Sequence, residues 1–241
     1  MNVVPGVVIS IIIPAYNEEA LLGGTLRALG AATDVLNLPH EVIVVDDGSA
    51  DRTAEIARAH GARVVAVSVR HIAAARNAGA KVATGNLLVF VDADTLVSPE
   101  VLQGAVAAVR AGAVGGGCGV RADSSDPRWG PPVMVLVSSL MRIARWAAGC
   151  FMFVTADVFR RVGGFDERYF ASEEIHLSRA VKKHGRFVIL RESVITSGRK
   201  GRLFTARQVL SQFVMALWPG TLKRRDRLGI WYGGDREKGG E

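Results

Sequence analysis

A run of apolar residues, Leu87–Val91, ends in the motif Asp92-Ala93-Asp94. Such a run predicts a strand that is buried on both faces of a sheet. Ser98-Pro99-Glu100 follows and is typical of the first turn of a helix. The carboxyl end of a strand in an open α/β sheet is where ligands bind. Two carboxylates there favour a divalent metal that also carries a phosphate, because hard cations prefer these oxygens. An isolated Asp-x-Asp is more often a solvated turn. The motif therefore indicates a metal site only if the rest of the chain supports one.

Strand and helix patterns alternate through the first half of the chain. This order predicts a parallel sheet with helices on both faces. The carboxyl ends of parallel strands meet at one edge, so polar residues that follow three of the strands are expected to converge: Asn17 with Glu18, Asp46 with Asp47, and Asp92 with Asp94. The predicted strands are 7–13, 41–45, 63–67 and 87–91, and the predicted helices are 18–31, 51–60 and 72–83.

The second half of the chain has a different character. Residues 113–121 form a glycine-rich strand in which Gly117-Cys118-Gly119 resembles a dinucleotide-binding fingerprint. We reject that function because the fingerprint must lie between a strand and the helix that it opens, and a polar loop follows here. The glycines are better explained by close approach of a substrate or another backbone. We further predict helices at 133–148, 172–184 with Ser172 as N-cap, and 205–217, and strands at 149–154 and 186–190.

Composition limits the class of protein. A chain of 241 residues with 49% hydrophobic residues can form one α/β domain with a full core. Its two cysteines, Cys118 and Cys150, have no metal-binding spacing and predict no disulfide. Met1–Ser10 carries no basic region typical of a signal peptide, and no stretch reaches the ~18 apolar residues that a membrane span needs. We therefore expect a cytoplasmic protein, soluble or peripheral to the membrane.

Six motifs follow one another along the chain: Pro14-Ala15-Tyr16-Asn17-Glu18, Asp46-Asp47-Gly48-Ser49, Arg76-Asn77-Ala78-Gly79, Asp92-Ala93-Asp94, Gly163-Gly164-Phe165-Asp166 and Glu173-Glu174. Taken together and in this order, they resemble the family-two glycosyltransferases of the GT-A fold. The likeness covers roughly residues 7–190 and implies an α/β, Rossmann-like, mostly parallel central sheet flanked by helices. It implies one GT-A domain at 1–198, with a nucleotide-sugar half at 7–97 and an acceptor half at 98–198, followed by a basic helical extension at 199–241.

The resemblance implies a role for each residue of the donor site. Asp92, within Asp92-Ala93-Asp94, would meet the ribose. Asp94 would hold a divalent metal, Mn²⁺ or Mg²⁺, which acts as a Lewis acid on the leaving diphosphate. Arg76 would contact the donor near its diphosphate. The remaining residues implied by the resemblance line the base pocket (Pro14, Ala15, Tyr16), reach the ribose (Glu18) or lie beside the base (Asp46, Asp47).

Each of these residues also has an ordinary structural explanation. Glu18 and Glu19 suit the first turn of a helix, since they complement its dipole. Asp46 to Ser49 suits a turn with a helix cap. Tyr16 suits a strand end without a ligand. None of these explanations accounts for polar groups at successive strand ends.

Glu173-Glu174 is the implied acceptor end. Inverting sugar transfer needs a carboxylate that deprotonates the acceptor hydroxyl. The family usually has Glu-Asp here, with Asp as the base, so the likeness assigns the base to Glu174. The extra methylene of Glu leaves Glu173 open as the alternative, and both residues also suit the first turn of a helix.

The expected function is transfer of a single sugar from a nucleotide-sugar, with UDP as the expected carrier, to an unidentified acceptor hydroxyl. The Arg-Trp motif of processive synthases is missing after Leu190. Two alternatives stay open. One is a sugar-phosphate nucleotidyltransferase, although a glycine-rich N-terminal loop with basic residues is missing. The other is a nucleotide-binding regulatory protein on a catalytically inactive transferase scaffold, which the Glu at position 174 would suit.

The C-terminal segment carries almost all of the excess positive charge. Residues 199–241 contain ten Lys/Arg and four Asp/Glu, which gives +6 of the net charge of +7. An apolar stripe on 204–218 suits packing on the catalytic domain, with solvated basic residues after it. The sharper alternative is peripheral contact of 204–232 with the anionic inner face of a membrane, which would favour a lipid or lipid-linked acceptor. No recognition motif for nucleic acid accompanies the charge, so we expect no nucleic-acid partner.

Overall fold

The computed structural model of the protein describes residues 6–122, 139, 141–170 and 172–197. Within these residues, the strands form one eight-stranded sheet. The strands are β1 (Ile9–Ala15), β2 (His40–Asp46), β3 (Arg63–Ala66), β4 (Leu87–Val91), β5 (Thr95–Leu96), β6 (Ala113–Ala122), β7 (Phe151–Thr155) and β8 (Arg186–Thr196). The helices are α1 (Leu22–Leu36), α2 (Thr53–Ala59), α3 (Ile72–Val82), α4 (Pro99–Arg110), α5 (Ala156–Arg161) and α6 (Glu173–Val181), and a 3₁₀ turn, Lys182–His184, follows α6.

The first four long strands are parallel, as the alternating pattern predicts. The sheet order is β3-β2-β1-β4-β7-β6-β8-β5, and β1 pairs in parallel with both β2 and β4. The register of β1 and β2 places Ala15 beside Asp46. The carboxyl ends of β2, β1 and β4 are therefore neighbours, and the predicted convergence of their polar residues is confirmed.

The second half of the chain completes the sheet in mixed directions. β7 is antiparallel to both of its neighbours, β4 and β6. β6 and β8 are parallel to each other, and the short β5 pairs antiparallel with β8. The β8–β5 pairing places Thr196 beside Thr95, close to the end of β4. The acceptor half thus brings its last strand back to the edge where β4 ends.

Two hydrophobic cores cover the two faces of the sheet. Alternate residues of β1 belong to different cores: Ile11 and Ile13 face α1, α2 and α4, whereas Ile12 faces α3, α5 and α6. Because side chains alternate along a strand, a strand covered on both faces must be apolar at nearly every position. All five residues of β4 are buried, which explains its uninterrupted apolar sequence.

The glycines of β6 allow other parts of the protein to approach closely, which was one of the two explanations offered for them. A Cβ at Gly116 would lie 2.3 Å from the carbonyl oxygen of Val188 on β8. A Cβ at Gly117 would lie 2.7 Å from Cβ of Ala147. Residues 123–138, which follow β6, lie outside the described residues, so the rejection of a dinucleotide site stays a prediction. Both cysteines are free, so the prediction of no disulfide is confirmed.

Three details of the predicted elements differ in the structure. Helix α1 begins at Leu22, so Glu18 and Glu19 do not lie in its first turn, and the helix-dipole explanation for them is wrong. Ser172 precedes α6 but has a left-handed backbone with φ of 61° and makes no capping hydrogen bond. The structure describes the predicted helix 133–148 only at 139 and 141–148, and helical structure at 141–144 ends before Trp146.

The predicted C-terminal helix and basic segment, 199–241, also lie outside the described residues and stay a prediction. Among the residues that are described, no helix combines the length and the hydrophobicity that crossing a membrane requires.

Candidate active site

The loops after β1 and β2 are joined by hydrogen bonds between side chains and backbone. The Asn17 N–H donates to Ser49 Oγ at 3.0 Å, and the Ala50 N–H donates to Asn17 Oδ1 at 2.8 Å. The Glu18 N–H donates to Thr53 Oγ1 at 2.8 Å. Asn17 has a left-handed backbone with φ of 50°, a conformation that Asn adopts more readily than most residues. The two loops therefore form one connected wall at the edge of the sheet.

Asp47 connects this wall to the turn before α3. Its carboxylate is buried and accepts three backbone N–H groups, from Val69 at 2.7 Å, Arg70 at 2.9 Å and His71 at 3.1 Å. The turn places the Arg70 guanidinium 3.5 Å from the centre of the Tyr16 ring. A cation over an aromatic face is stabilised by the charge distribution of the ring. One face of Tyr16 is thus covered by Arg70.

Arg76 is the largest charged side chain in the interior and is 1% exposed. Its Nη1 donates to Glu173 Oε1 at 2.6 Å, and its Nη2 donates to Asp92 Oδ1 and to the Gly149 carbonyl, each at 2.8 Å. A buried charge is tolerated when it is paired and hydrogen-bonded in this way. Asp92 follows β4 and Glu173 opens α6, so the guanidinium joins the two halves of the sheet. This position favours a bridging role for Arg76 over direct contact with a diphosphate.

Asn77, the next residue on α3, holds the loop after α5. Its Oδ1 accepts from the Phe165 N–H at 2.9 Å, and its Nδ2 donates to the Phe165 carbonyl at 2.9 Å. Gly164 has φ of 76°, and a Cβ there would lie 2.6 Å from Asn77 Oδ1. The motif that contains Asn77 and the motif that contains Gly164 are therefore in contact. The Asn77 amide packs against the backbone of Gly164, where a side chain would not fit.

The turn after β4 is fixed from two sides. The Ala93 carbonyl accepts from the buried Thr25 Oγ1 at 2.8 Å, and the Ala93 side chain packs in the core. The Asp94 carboxylate lies near the hydroxyl groups of Thr95 and Thr196, at 3.5 and 3.4 Å. Hard oxygen donors of this kind suit Mg²⁺ or Mn²⁺. In the described ranges, no group of three or more His, Cys, Asp or Glu is placed to hold a metal ion.

The two glutamates at the start of α6 have different environments. Glu173 is 4% exposed and paired with Arg76. Glu174 is partly exposed, and its carboxyl group lies against Gly149, close to the Arg76 guanidinium. Burial, and then the charge of Glu173, raise the pKa of Glu174 to about 8, although Arg76 counteracts them. A carboxyl group with a pKa near the working pH can take up and release a proton efficiently. The raised pKa distinguishes Glu174 from Glu173, whose carboxylate pairs with Arg76.

Comparison with known proteins was decisive for the family. Residues 10–167 match the description "Glycosyl transferase family 2", which is well over half of the chain. The chain belongs to glycosyl transferase family 2. The matched region contains the first five motifs and ends before Glu173-Glu174. The assignment of the base in this family member therefore depends on the geometry of α6.

Two curated relatives come from bacteria. Validoxylamine A glucosyltransferase of Streptomyces hygroscopicus subsp. jinggangensis is 32% identical over 221 residues, covering 73% of this chain and 52% of that protein. Undecaprenyl-phosphate 4-deoxy-4-formamido-L-arabinose transferase of Aeromonas hydrophila is 38% identical over 113 residues, covering 43% of this chain and 34% of that protein. The chain thus spans about half the length of the first relative and a third of the second.

A solved structure supports the fold. Glucosyl-3-phosphoglycerate synthase from Mycobacterium tuberculosis, in complex with Mn²⁺, UDP and glucosyl-3-phosphoglycerate, aligns with a TM-score of 0.63 and 20% identity. The alignment covers 88% of this chain and 80% of that one. At this identity the likeness establishes the shared fold, a mixed α/β sheet with flanking helices similar to the GT-A glycosyltransferases.

Most residues expected from the family motifs lie at one edge of the sheet. The structure places Ala15 beside Asp46 and Pro14 beside Val45, and it brings Asp92 close to Glu173 through Arg76. Sequence reasoning missed the partners of Arg70 and Asn77. Asn77 belongs to the motif Arg76-Asn77-Ala78-Gly79, which could have indicated a structural role, whereas nothing in the sequence singled out Arg70.

Proposed function

We propose that the protein transfers a single sugar from a nucleotide-sugar, with UDP as the expected carrier, to an acceptor hydroxyl with inversion of configuration. The observation that carries this proposal is Glu174. Glu174 is a partly exposed residue that opens α6, and burial of its carboxyl group next to the Arg76–Asp92 pair raises its pKa to about 8. A base at that place can act on an acceptor while a donor occupies the ends of β1, β2 and β4.

The donor would lie along the connected loops. Tyr16, with Arg70 over one face of its ring, would contact the nucleobase next to Pro14 and Ala15. Asp46 would accept a hydrogen bond from a pyrimidine N–H, while Asp47, with three N–H groups already bound, would hold the neighbouring turn. Glu18 and Asp92 are the proposed ribose contacts.

The residues at the end of β4 suit a divalent metal. Asp94 would be its protein ligand, since Mg²⁺ commonly binds through one or two carboxylates and substrate phosphates. When bound, the metal supplies positive charge that stabilises the leaving diphosphate. The two threonine hydroxyl groups near Asp94 would orient its carboxylate for that role.

The reaction needs one proton transfer and one displacement. The ionised Glu174 carboxylate takes the proton of the acceptor hydroxyl. The oxygen forms a bond to the anomeric carbon while the bond from that carbon to the phosphate oxygen breaks, and the nucleoside diphosphate leaves with the electron pair. Glu173 pairs with Arg76 at 2.6 Å, and this pairing supports Glu174 as the base.

Relatives support sugar transfer and widen the choice of acceptor. One is named for glucosyl transfer to validoxylamine A and another for transfer to undecaprenyl phosphate. A lipid-linked acceptor therefore remains within the proposal. The family match does not favour the nucleotidyltransferase or the inactive scaffold.

A thermal-shift panel of nucleoside diphosphates and nucleotide-sugars, with and without Mn²⁺ or Mg²⁺, tests the donor half of the proposal. A ligand at ~100 times its dissociation constant should add ~2.7 kcal/mol of stability. We expect a metal-dependent shift with UDP that Asp94→Ala removes. Asp157→Ala, which changes an exposed carboxylate on α5, is the control. A metal-dependent shift of normal size in the Asp94 variant would refute the metal assignment, and no shift with any nucleotide would refute the donor site.

A further inference from the structure

Three cationic side chains lie together beside α6. Arg179 and Lys182 are three residues apart and share one side of this helical segment. Lys182 Nζ donates to the Ala144 carbonyl at 2.6 Å, and the Arg179 guanidinium lies 4.8 Å from the centre of the Trp146 ring. The charge of Arg145, which lies between these two contacted residues, acts on Lys182, so Arg145 belongs to the same group. We refer to Arg145, Arg179 and Lys182 as the basic cluster.

The charge of the basic cluster is not balanced by a carboxylate in the described part of the chain. None of the five ion pairs formed by the described residues includes a member of the cluster. Burial, and then the charges of Arg145 and Arg179, lower the pKa of Lys182. A bound anion would remove this repulsion, so the cluster favours a negatively charged ligand.

The basic cluster and Glu174 share one wall of the protein. The segment 144–149 runs beside α6 in the opposite direction, from the cluster to the base. Because an α-helix rises about 1.5 Å per residue, Arg179 lies about 7.5 Å beyond Glu174 along the axis, and Lys182 about 12 Å beyond it. The contacts that define this wall are Ala144 with Lys182, Trp146 with Arg179, the Ala147 N–H with Ser178 Oγ at 3.1 Å, and Gly149 with Glu174.

We propose that the basic cluster binds a phosphate group of the acceptor, about 8–12 Å along α6 from the hydroxyl that Glu174 deprotonates. Two guanidinium groups and an ammonium bind phosphate through charge-assisted hydrogen bonds. The Trp146 ring and Ile143, which is 81% exposed, place apolar surface next to these charges. The acceptor class is a phosphate ester, either a lipid phosphate or a soluble sugar phosphate. This inference rests on the proposed function for the acceptor and for the identity of the base.

Two substitutions remove charge with little disturbance of the fold. Arg145 has a left-handed backbone with φ of 52°, which Asn tolerates, so Arg145→Asn is suitable. Arg179 is exposed on a helix, where Gln keeps the helix propensity. Lys182 stays unchanged because it holds the Ala144 carbonyl. The control, Arg58→Gln with Arg110→Gln, removes the same charge from exposed positions near the ends of α2 and α4.

The test measures binding of the full chain to two probes. The first is inorganic phosphate, with the donor site filled by saturating UDP and Mg²⁺. The second is phosphatidylcholine vesicles with or without phosphatidic acid. Each Lys or Arg near an anionic surface contributes about 1 kcal/mol, so we expect the cluster variant to bind about 30-fold more weakly and the control to match the parent. Loss on vesicles alone identifies a lipid phosphate, and loss with inorganic phosphate alone identifies a soluble one.

Equal binding by the parent and the cluster variant, equal losses in both variants, or no binding of either probe by the parent would each overturn the inference. Binding of UDP is measured in the same samples. If the parent fails to bind UDP, the proposed function fails, whereas a loss confined to the cluster variant would still establish the anion site.

Discussion

Glu173 and Glu174 are neighbours, but it is Glu173 that forms the ion pair with Arg76. Glu174→Gln keeps the shape of the side chain and removes its ability to accept a proton. We expect turnover to fall by ~10²-fold or more, the usual scale for a general base, with unchanged binding of UDP. Steady-state kinetics and calorimetric titration measure the two quantities. Glu173→Gln should have the smaller effect on turnover, and the reverse order would move the base to residue 173.

Arg76 should be essential for stability as well as for geometry. Arg76→Gln would leave Asp92 and Glu173 without their shared cation, and breaking such a buried pair costs about 3–5 kcal/mol. Urea unfolding measures the loss. Arg52→Gln is the matched control because Arg52 pairs with Glu19 at the surface, where a pair contributes at most about 1 kcal/mol. Equal losses in the two variants would show that Arg76 is not held as described.

At the scale of elements, the loop between α5 and α6 depends on its fit to α3. Gly163 and Gly164 both have positive φ, of 81° and 76°, so an alanine at either position carries similar backbone strain. A Cβ at Gly163 has nothing within 4 Å, whereas one at Gly164 would strike Asn77 Oδ1. We expect Gly164→Ala to lower the free energy of unfolding by about 1–3 kcal/mol more than Gly163→Ala, because the Asn77 bonds are lost. Equal effects would mean that Asn77 does not hold the loop.

The strands and the edge where the site lies could be predicted from sequence, because apolar runs and the polar residues after them are local signals. The partners of Arg76 and Asn77 could not, since Glu173 lies 97 residues from Arg76 and Phe165 lies 88 residues from Asn77. The start of α1 was misplaced for a similar reason. The N–H groups of Glu18 and Glu19 bind Thr53 and Asp51 of another loop instead of starting the helix.

For the molecule as a whole, the proton on Glu174 links stability to pH. The pKa of Glu174 is about 8 in the folded protein, against 4.5 in the unfolded chain. Between these values the folded state binds more protons than the unfolded state, so this residue makes stability fall as pH rises from about 4.5 to about 8. Glu174→Gln should therefore raise the melting temperature near pH 8 but not near pH 4.5. Each kcal/mol corresponds to about 2–4 °C in a protein of this size. Thermal melts of both proteins across this pH range measure the difference, and an equal difference at both ends would contradict the raised pKa.

The position of β7 between β4 and β6 has a consequence for synthesis of the chain. One edge of β4 can pair with β1 at once, but its other edge waits for β7, about 60 residues later in the sequence. At about 5–20 residues per second, the ribosome leaves this edge of an entirely apolar strand unpaired for about 3–12 s. The unpaired backbone N–H and C=O groups of such an edge recruit other strands. The nascent chain should therefore be most prone to aggregation, and most dependent on chaperones, in the interval between emergence of Val91 and of Phe151.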